Sequence, residues 1–326
     1  MSNLEMRYRR LGRTGLEVSL LGLGSGGPNQ FGQLRSVPRS QVVSLVRYAL
    51  DLGVNFFDTA AAYADSEEIL AEALSGVPRD RYLLASKFVP TRGETVISPA
   101  QARASVDKSL KRCRVGELDL LQLHRVRPQN YAEVRDRLFP ELERLRDEGK
   151  VRFLGITESS RGDPGHQMLE MALADDLFDT IMVVYSPFNP TAGEKVLPLA
   201  LQLDTGVIAM AVARHLLPGG RRSQFRRFAG TLGNALASMT NPRELLRRAR
   251  GALSILRDSP ALLPPDLQAS MPGLAYRYAA TPSVVSCVLS GTTSRIHFGE
   301  NAKAVLDEPL SAEEQRRLAS RLRQYG

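Results

Sequence analysis

Short apolar runs alternate along this chain with stretches of helical periodicity. Eight runs stand out, at residues 16–22, 54–58, 82–87, 118–124, 151–157, 180–185, 206–211 and 283–290. Each is bounded by polar or turn residues, the pattern of a strand buried on both faces of a parallel sheet. The stretches between them are amphipathic. Residues 40–52 open on a cap-type serine and place Val42, Val43, Leu45, Val46, Ala49 and Leu50 at helical spacing. Ser66 precedes a helix over 69–74, and Ser98-Pro99 combines an N-cap with a first-turn proline before a helix over 100–112. A helix over 138–148 ends at Gly149, a C′ glycine. Eight strands alternating with helices predict an α/β fold, a (β/α)8 TIM barrel, and 326 residues suffice for one such domain over 1–326. An open dinucleotide-binding sheet fits less well. The glycine-rich stretch at residues 21–27 leads into a loop with Pro28, Asn29 and Phe31, not directly into a helix.

About 70 residues separate the seventh run from the eighth, too long for a bare loop. Asn241-Pro242-Arg243-Glu244 starts a helix there and prolines between 260 and 265 break it, so an enlarged helical loop is expected above the barrel. Net charge is +8, and much of the excess lies between Arg214 and Arg257. Nucleic-acid binding is one reading of that stretch. A solvated helical excursion is favoured, because only Phe225 and Phe228 interleave with the arginines and stacking readers use more aromatics. Apolar residues make up 43% and charged residues 24%, ordinary for a globular chain, and no apolar run reaches the ~18 residues of a membrane span. The amino terminus lacks the apolar core of a signal peptide, so a cytoplasmic protein without membrane or nucleic-acid partners is expected. Cys113 and Cys287 read as buried thiols, and four scattered histidines offer no metal-ligand spacing.

The chemistry concentrates at three strand ends. Asp58, Lys87 and His124 close the second, third and fourth runs, and Tyr63 follows Asp58 by five residues. Parallel strands carry all four to the carboxyl edge, where α/β proteins place their reactive groups. These residues, with Leu11-Gly12-Arg13-Thr14-Gly15, Gly53-Val54-Asn55-Phe56-Phe57-Asp58-Thr59-Ala60, Ser86-Lys87, Leu118-Asp119-Leu120-Leu121-Gln122-Leu123-His124, Gly149-Lys150-Val151-Arg152-Phe153-Leu154-Gly155 and Glu300-Asn301, resemble the aldo-keto reductases from about residue 7 to about 310.

The resemblance implies an oxidoreductase that reduces an aldehyde or ketone with NADPH, NADH being possible, or runs the reverse oxidation. It implies a small carbonyl or alcohol substrate and leaves the oligomeric state open. It makes Tyr63 the general acid–base, Lys87 and Asp58 its tuning pair, and His124 the donor that orients the carbonyl. A free tyrosine titrates near ~10, and a neighbouring ammonium lowers that value. For the cofactor it implies contacts at Gly24, Ser25, Asp58, Thr157, Glu158 and Tyr185, and at Gly291, Thr292, Thr293, His297, Glu300 and Asn301. It also implies an amino-terminal β-hairpin turned at Thr14-Gly15. Two positions depart from the family pattern: Glu158 replaces an amide expected to hold the nicotinamide carboxamide, and Met182 replaces a glutamine. These departures keep open a second reading, a cofactor-binding sensor without turnover on the same fold. Arg125, Arg127, Arg161 and Arg214 also fall just after strands, where they meet an anion or simply solvent.

Overall fold

The computed structural model describes residues 4–27, 30–159, 162–213 and 265–322. Arg161, Arg214, the arginine-rich stretch and the expected helix start at 241–244 lie outside them. Two short strands, β1 (Tyr8–Arg10) and β2 (Glu17–Ser19), pair antiparallel around a turn that closes at Gly15, in left-handed conformation at φ 69°. The chain then enters β3 (Leu21–Gly24). The first apolar run is therefore two strands. Ser19 marks the break: its hydroxyl donates to the Leu21 carbonyl at 2.7 Å, and its N–H donates to the Asn55 side chain at 2.8 Å.

The remaining described elements follow in order: α1 (Arg39–Asp51), β4 (Phe56–Asp58), α2 (Ser66–Ala73), β5 (Leu83–Phe88), the small ribbon β6 (Thr91–Arg92) and β7 (Thr95–Val96), α3 (Pro99–Cys113), β8 (Leu118–Val126), α4 (Pro128–Asp147) and β9 (Val151–Glu158). After these come α5 (Gln167–Asp175), β10 (Thr180–Val184), α6 (Val196–Gln202), β11 (Gly206–Met210), α7 (Pro265–Ala280), β12 (Val285–Ser290), α8 (Arg295–Leu306) and α9 (Ala312–Leu322). Strands β3-β4-β5-β8-β9-β10-β11-β12 close into a parallel eight-stranded barrel, and β12 returns to pair with β3. This is the predicted (β/α)8 TIM barrel. None of its described helices is long and apolar enough to cross a membrane.

The helices form where the pattern placed them, with two instructive differences. Ser98 caps α3 in a full capping box with Gln101. Ser66 caps nothing: it is the first residue of α2, and its buried hydroxyl accepts from Gln33 Nε2 at 3.1 Å. The expected helix over 138–148 is the second half of α4, which starts ten residues earlier and runs through Pro140. A proline inside a helix loses one backbone bond and costs about 3 kcal/mol. The buried face of Tyr131, Val134, Leu138, Leu142 and Leu145 outweighs that loss.

Strand alternation divides the core in two. The larger part fills the layer between strands and helices. The smaller fills the barrel, with Phe56, Ala85, Leu120, Met182, Ile208, Cys287 and Leu289 packed over Leu11 and Val18 from the hairpin. The hairpin thus plugs the amino-terminal end. Leu11 sits so close to Gly206 that a β-carbon there would lie 2.8 Å from its side chain. Both cysteines are buried and free.

Candidate active site

The carboxyl edge is polar where the lower barrel is apolar. By the period of two, Asp58, Lys87 and Gln122 continue the inward faces of β4, β5 and β8 one layer above Phe56, Ala85 and Leu120, and His124 takes the next inward position of β8. Lys87 and Asp58 are buried, and Lys87 Nζ donates to Asp58 Oδ2 at 2.6 Å and to the Thr59 carbonyl at 2.7 Å. Gln122 Nε2 donates to the other carboxylate oxygen at 3.2 Å. Burial pushes the Asp58 carboxyl up, against the pull of Lys87 and Gln122. A buried pair of this kind gains little net stability but fixes geometry when its hydrogen bonds are complete. Gln122 was not singled out in the sequence. The signal was present: it lies two residues before His124, on the same strand face.

Tyr63 hangs over this pair from the turn after β4. That turn is tied to β5 by the Ala61 N–H, which donates to the Lys87 carbonyl at 2.9 Å. Tyr63 Oη lies 3.2 Å from His124 Nε2, and the two rings meet edge to face at 5.4 Å. Lys87 Nζ is 5.2 Å from the centre of the tyrosine ring. The four residues predicted from separate strand ends therefore form one cluster. Their electrostatics differ from expectation in one respect. Burial raises the Tyr63 pKa by more than the Lys87 and Arg125 charges lower it, so the phenol holds its proton more firmly than a free tyrosine. Burial, Lys87 and Arg125 together push His124 well below the ordinary imidazole range, which keeps the ring neutral near pH 7. Its Nδ1 is buried without a hydrogen-bond partner among the described residues.

Gly26, in the sequence only one member of the glycine-rich stretch 21–27, makes room for this arrangement. A β-carbon there would lie 2.6–2.7 Å from Tyr63 Cε2, Cζ and Oη. The β3 end also presents Ser25, whose buried hydroxyl has no partner among the described residues, and Gly24, which pairs with Asp58 across β3 and β4.

The residues expected to hold a cofactor divide into two groups. At one end, Gly291, Thr292 and Thr293 leave β12 and lead into Ser294, whose side chain accepts from the His297 N–H at the start of α8. A helix start of this kind receives phosphate well. Gly291 and His297 are exposed there. Arg295 beside them is held over the Tyr48 ring at 4.5 Å. Glu300 is also exposed, whereas Asn301 is buried and donates to Ser290 Oγ at 3.0 Å. This helix start fits the phosphate-bearing half of a dinucleotide, and the unpartnered Ser25 hydroxyl at the β3 end offers a further hydrogen bond to it.

At the other end, three residues expected at the cofactor have partners within the protein. Glu158 is buried between β9 and β10, where one oxygen accepts from the Val184 N–H at 2.6 Å and the other lies 2.7 Å from His166 Nδ1. Its carboxylate extends the ladder beyond Met182 and Thr157, the last paired residues of those strands. Alternation explains the outcome: Thr157 follows the inward positions 153 and 155, so Glu158 falls on the outward face. Thr157 Oγ1 accepts from the Arg125 N–H at 2.8 Å. Tyr185 is buried with its ring 5.3 Å from that of Tyr278 on α7. Met182 belongs to the apolar barrel interior.

Comparison with known proteins agrees with this fold. The family model described as "Aldo/keto reductase family" matches residues 21–322. The chain belongs to the aldo/keto reductase family. It is 36% identical over 162 residues to L-galactose dehydrogenase of Arabidopsis thaliana, a match covering 48% of this chain and 49% of that protein. The matched segment thus spans about half the length of that curated relative. The solved holo form of the aldo-keto reductase AKR11C1 from Bacillus halodurans is 26% identical, with a TM-score of 0.69 over 98% of this chain and 96% of its own. An aldo/keto reductase from Klebsiella pneumoniae, solved in complex with NADP and acetate, shares the fold at 23% identity and a TM-score of 0.64, over 98% and 96% of the two chains.

Proposed function

We propose that this family member reduces an aldehyde or ketone to an alcohol with NADPH, or runs the reverse, using Tyr63 as general acid–base. The observation that carries the reading is the contact of Tyr63 Oη with His124 Nε2 at 3.2 Å, above the buried Lys87–Asp58 pair. Bound nicotinamide supplies or takes a hydride at the carbonyl carbon. The residues of this chain handle the oxygen and its proton. His124, neutral and protonated on Nε2, donates to the carbonyl oxygen and orients it beside the phenol. Tyr63 Oη gives that oxygen its proton. The phenolate left behind faces the Lys87 ammonium, and Asp58, Gln122 and the Thr59 carbonyl keep Lys87 in place. Solvent at the half-buried face of Tyr63 returns the proton.

A raised tyrosine pKa suits this direction, because the acid must carry its proton at neutral pH. Lys87 matters most after transfer, when it stabilises the charge that has formed. Support for NADPH comes from the α8 start, where Thr292, Thr293, Arg295 and His297 gather beside the end of β12. Those residues would hold the 2′-phosphate and adenine, with Gly24 and Ser25 at the β3 end nearer the ring. For the carboxamide, the inward side of β9 offers the Thr157 hydroxyl. Consumption of NADPH and NADH against a panel of aldehydes and ketones tests the reading. Turnover that prefers NADPH and vanishes in Tyr63→Phe is expected. Tight cofactor binding with no turnover of any carbonyl would overturn it in favour of a sensor.

A further inference from the structure

The strand that carries His124 does not end regularly. Leu123 pairs with Ile156 and Val126 with Glu158, so His124 and Arg125 together face the single residue Thr157. This is a β-bulge, a device that re-aims side chains beside active sites. Its second residue, Arg125, takes the left-handed conformation at φ 60°, uncommon for a residue with a side chain. The strain is held by the Arg125 N–H, which donates to buried Thr157 Oγ1 at 2.8 Å. The Arg125 side chain is exposed, and among the described residues it makes no ion pair and no hydrogen bond. Arg127, two residues on, contrasts with it by pairing with Glu94 at 3.1 Å. Arg125 also stands close enough for its charge to act on both Tyr63 and His124. An unpaired guanidinium, turned by a strained bulge beside the proton donor, offers a fork for a planar anion.

We propose that Arg125 is a specificity residue that binds an anionic group, a carboxylate or a phosphate, carried by the carbonyl substrate a few bonds from its reactive carbon. The inference rests on the Tyr63–His124 reading of the site. It deepens that reading by naming a substrate class: oxo acids, sugar acids or phosphorylated aldehydes in preference to neutral ones. Tyr63 and His124 take the carbonyl oxygen, and Arg125 fixes the other end of the molecule.

The test compares matched pairs: succinate semialdehyde with butanal, and glyceraldehyde 3-phosphate with glyceraldehyde. The first pair reads a carboxylate and the second a phosphate. The wild-type ratio of kcat/KM, anionic over neutral, is expected to exceed about tenfold in at least one pair, the scale of a charge-assisted hydrogen bond. Arg125→Gln should collapse that ratio, mainly through KM, and Arg125→Lys should restore part of it. Arg127→Gln should leave it where it was. Raising salt should lower the wild-type ratio, since an exposed cation is screened. A ratio near one in both pairs, or one that survives Arg125→Gln, would overturn the proposal while leaving carbonyl reduction intact. Should no carbonyl be turned over, calorimetric titration of succinate into the NADPH-loaded protein decides separately. Binding lost in Arg125→Gln supports the proposal, and binding absent from wild type or unchanged in the variant refutes it.

Discussion

At the scale of single residues, the proposed chemistry separates a proton donor, Tyr63, from the groups that tune it. Tyr63→Phe keeps the ring packing and removes the hydroxyl, so kcat is expected to fall by about 10²–10⁴-fold with cofactor affinity nearly unchanged. Steady-state kinetics with a cofactor titration check this, and retention of most activity would remove Tyr63 from the chemistry. The depressed pKa of His124 gives a pH expectation. A free imidazole titrates near ~6.5, but in the folded protein burial, Lys87 and Arg125 oppose the charge. Below ~6.5 the unfolded chain therefore binds a proton that the folded chain refuses, and this residue's contribution to stability is lost as pH falls. Reductive kcat/KM should show no inflection near ~6.5, because His124 stays neutral there. An inflection that disappears in His124→Gln would contradict this. Asp58, Tyr63, Lys87 and His124 were legible in the sequence because each ionisable type closes an apolar run or its turn. Gln122 and Gly26 were not singled out. A glutamine inside a strand resembles any buried polar residue, and the role of Gly26 depends on a ring that only the folded turn brings against it.

At the scale of elements, the decisive quantity is which way a strand's last residue faces. Glu158 was expected at the nicotinamide because it stands where the family carries an amide. Its oxygens instead join β9 to β10 and to His166 at the start of α5. Position along the chain was readable there, but the face depended on which residues of β9 point into the barrel. Glu158→Ala should therefore act first on stability, by about 1–3 kcal/mol, the cost of leaving the buried Val184 N–H without its acceptor. Thermal or urea unfolding measures it. Unchanged stability with a large rise in the KM for NADPH would return Glu158 to the cofactor site. The β3 end makes a second expectation. In Gly26→Ala the new methyl group must displace the Tyr63 ring, because a β-carbon there comes within 2.7 Å of the phenol oxygen. Loss of kcat with an unchanged melting temperature is expected. Full activity would show that the phenol tolerates a shift.

At the scale of the molecule, the period of apolar runs was enough to imply eight strands and closure. The hairpin beneath the barrel followed only from family resemblance, since three-residue strands leave almost no periodic trace. Its contribution is measurable: Leu11 is fully buried under Gly206, and Leu11→Ala should cost about 2–5 kcal/mol in denaturant unfolding. The return of β12 onto β3 has another consequence. Asp58, Tyr63, Lys87 and His124 all come from three neighbouring strands and one turn early in the chain, while Gly291, Thr292 and Thr293 follow the last strand. The join at which Val288 faces Leu21 and Ser290 faces Leu23 is thus the barrel's seam, bringing together positions about 270 residues apart. A dinucleotide reaching from Gly24 and Ser25 to the α8 start would lie across that seam like a stitch. At a hundredfold excess over its Kd it would add about 2.7 kcal/mol to stability. Protection from hydrogen exchange should then rise most in the amides of β3 and β12. In this barrel the cofactor would serve as hydride carrier and also as the fastening that keeps the first strand and the last together.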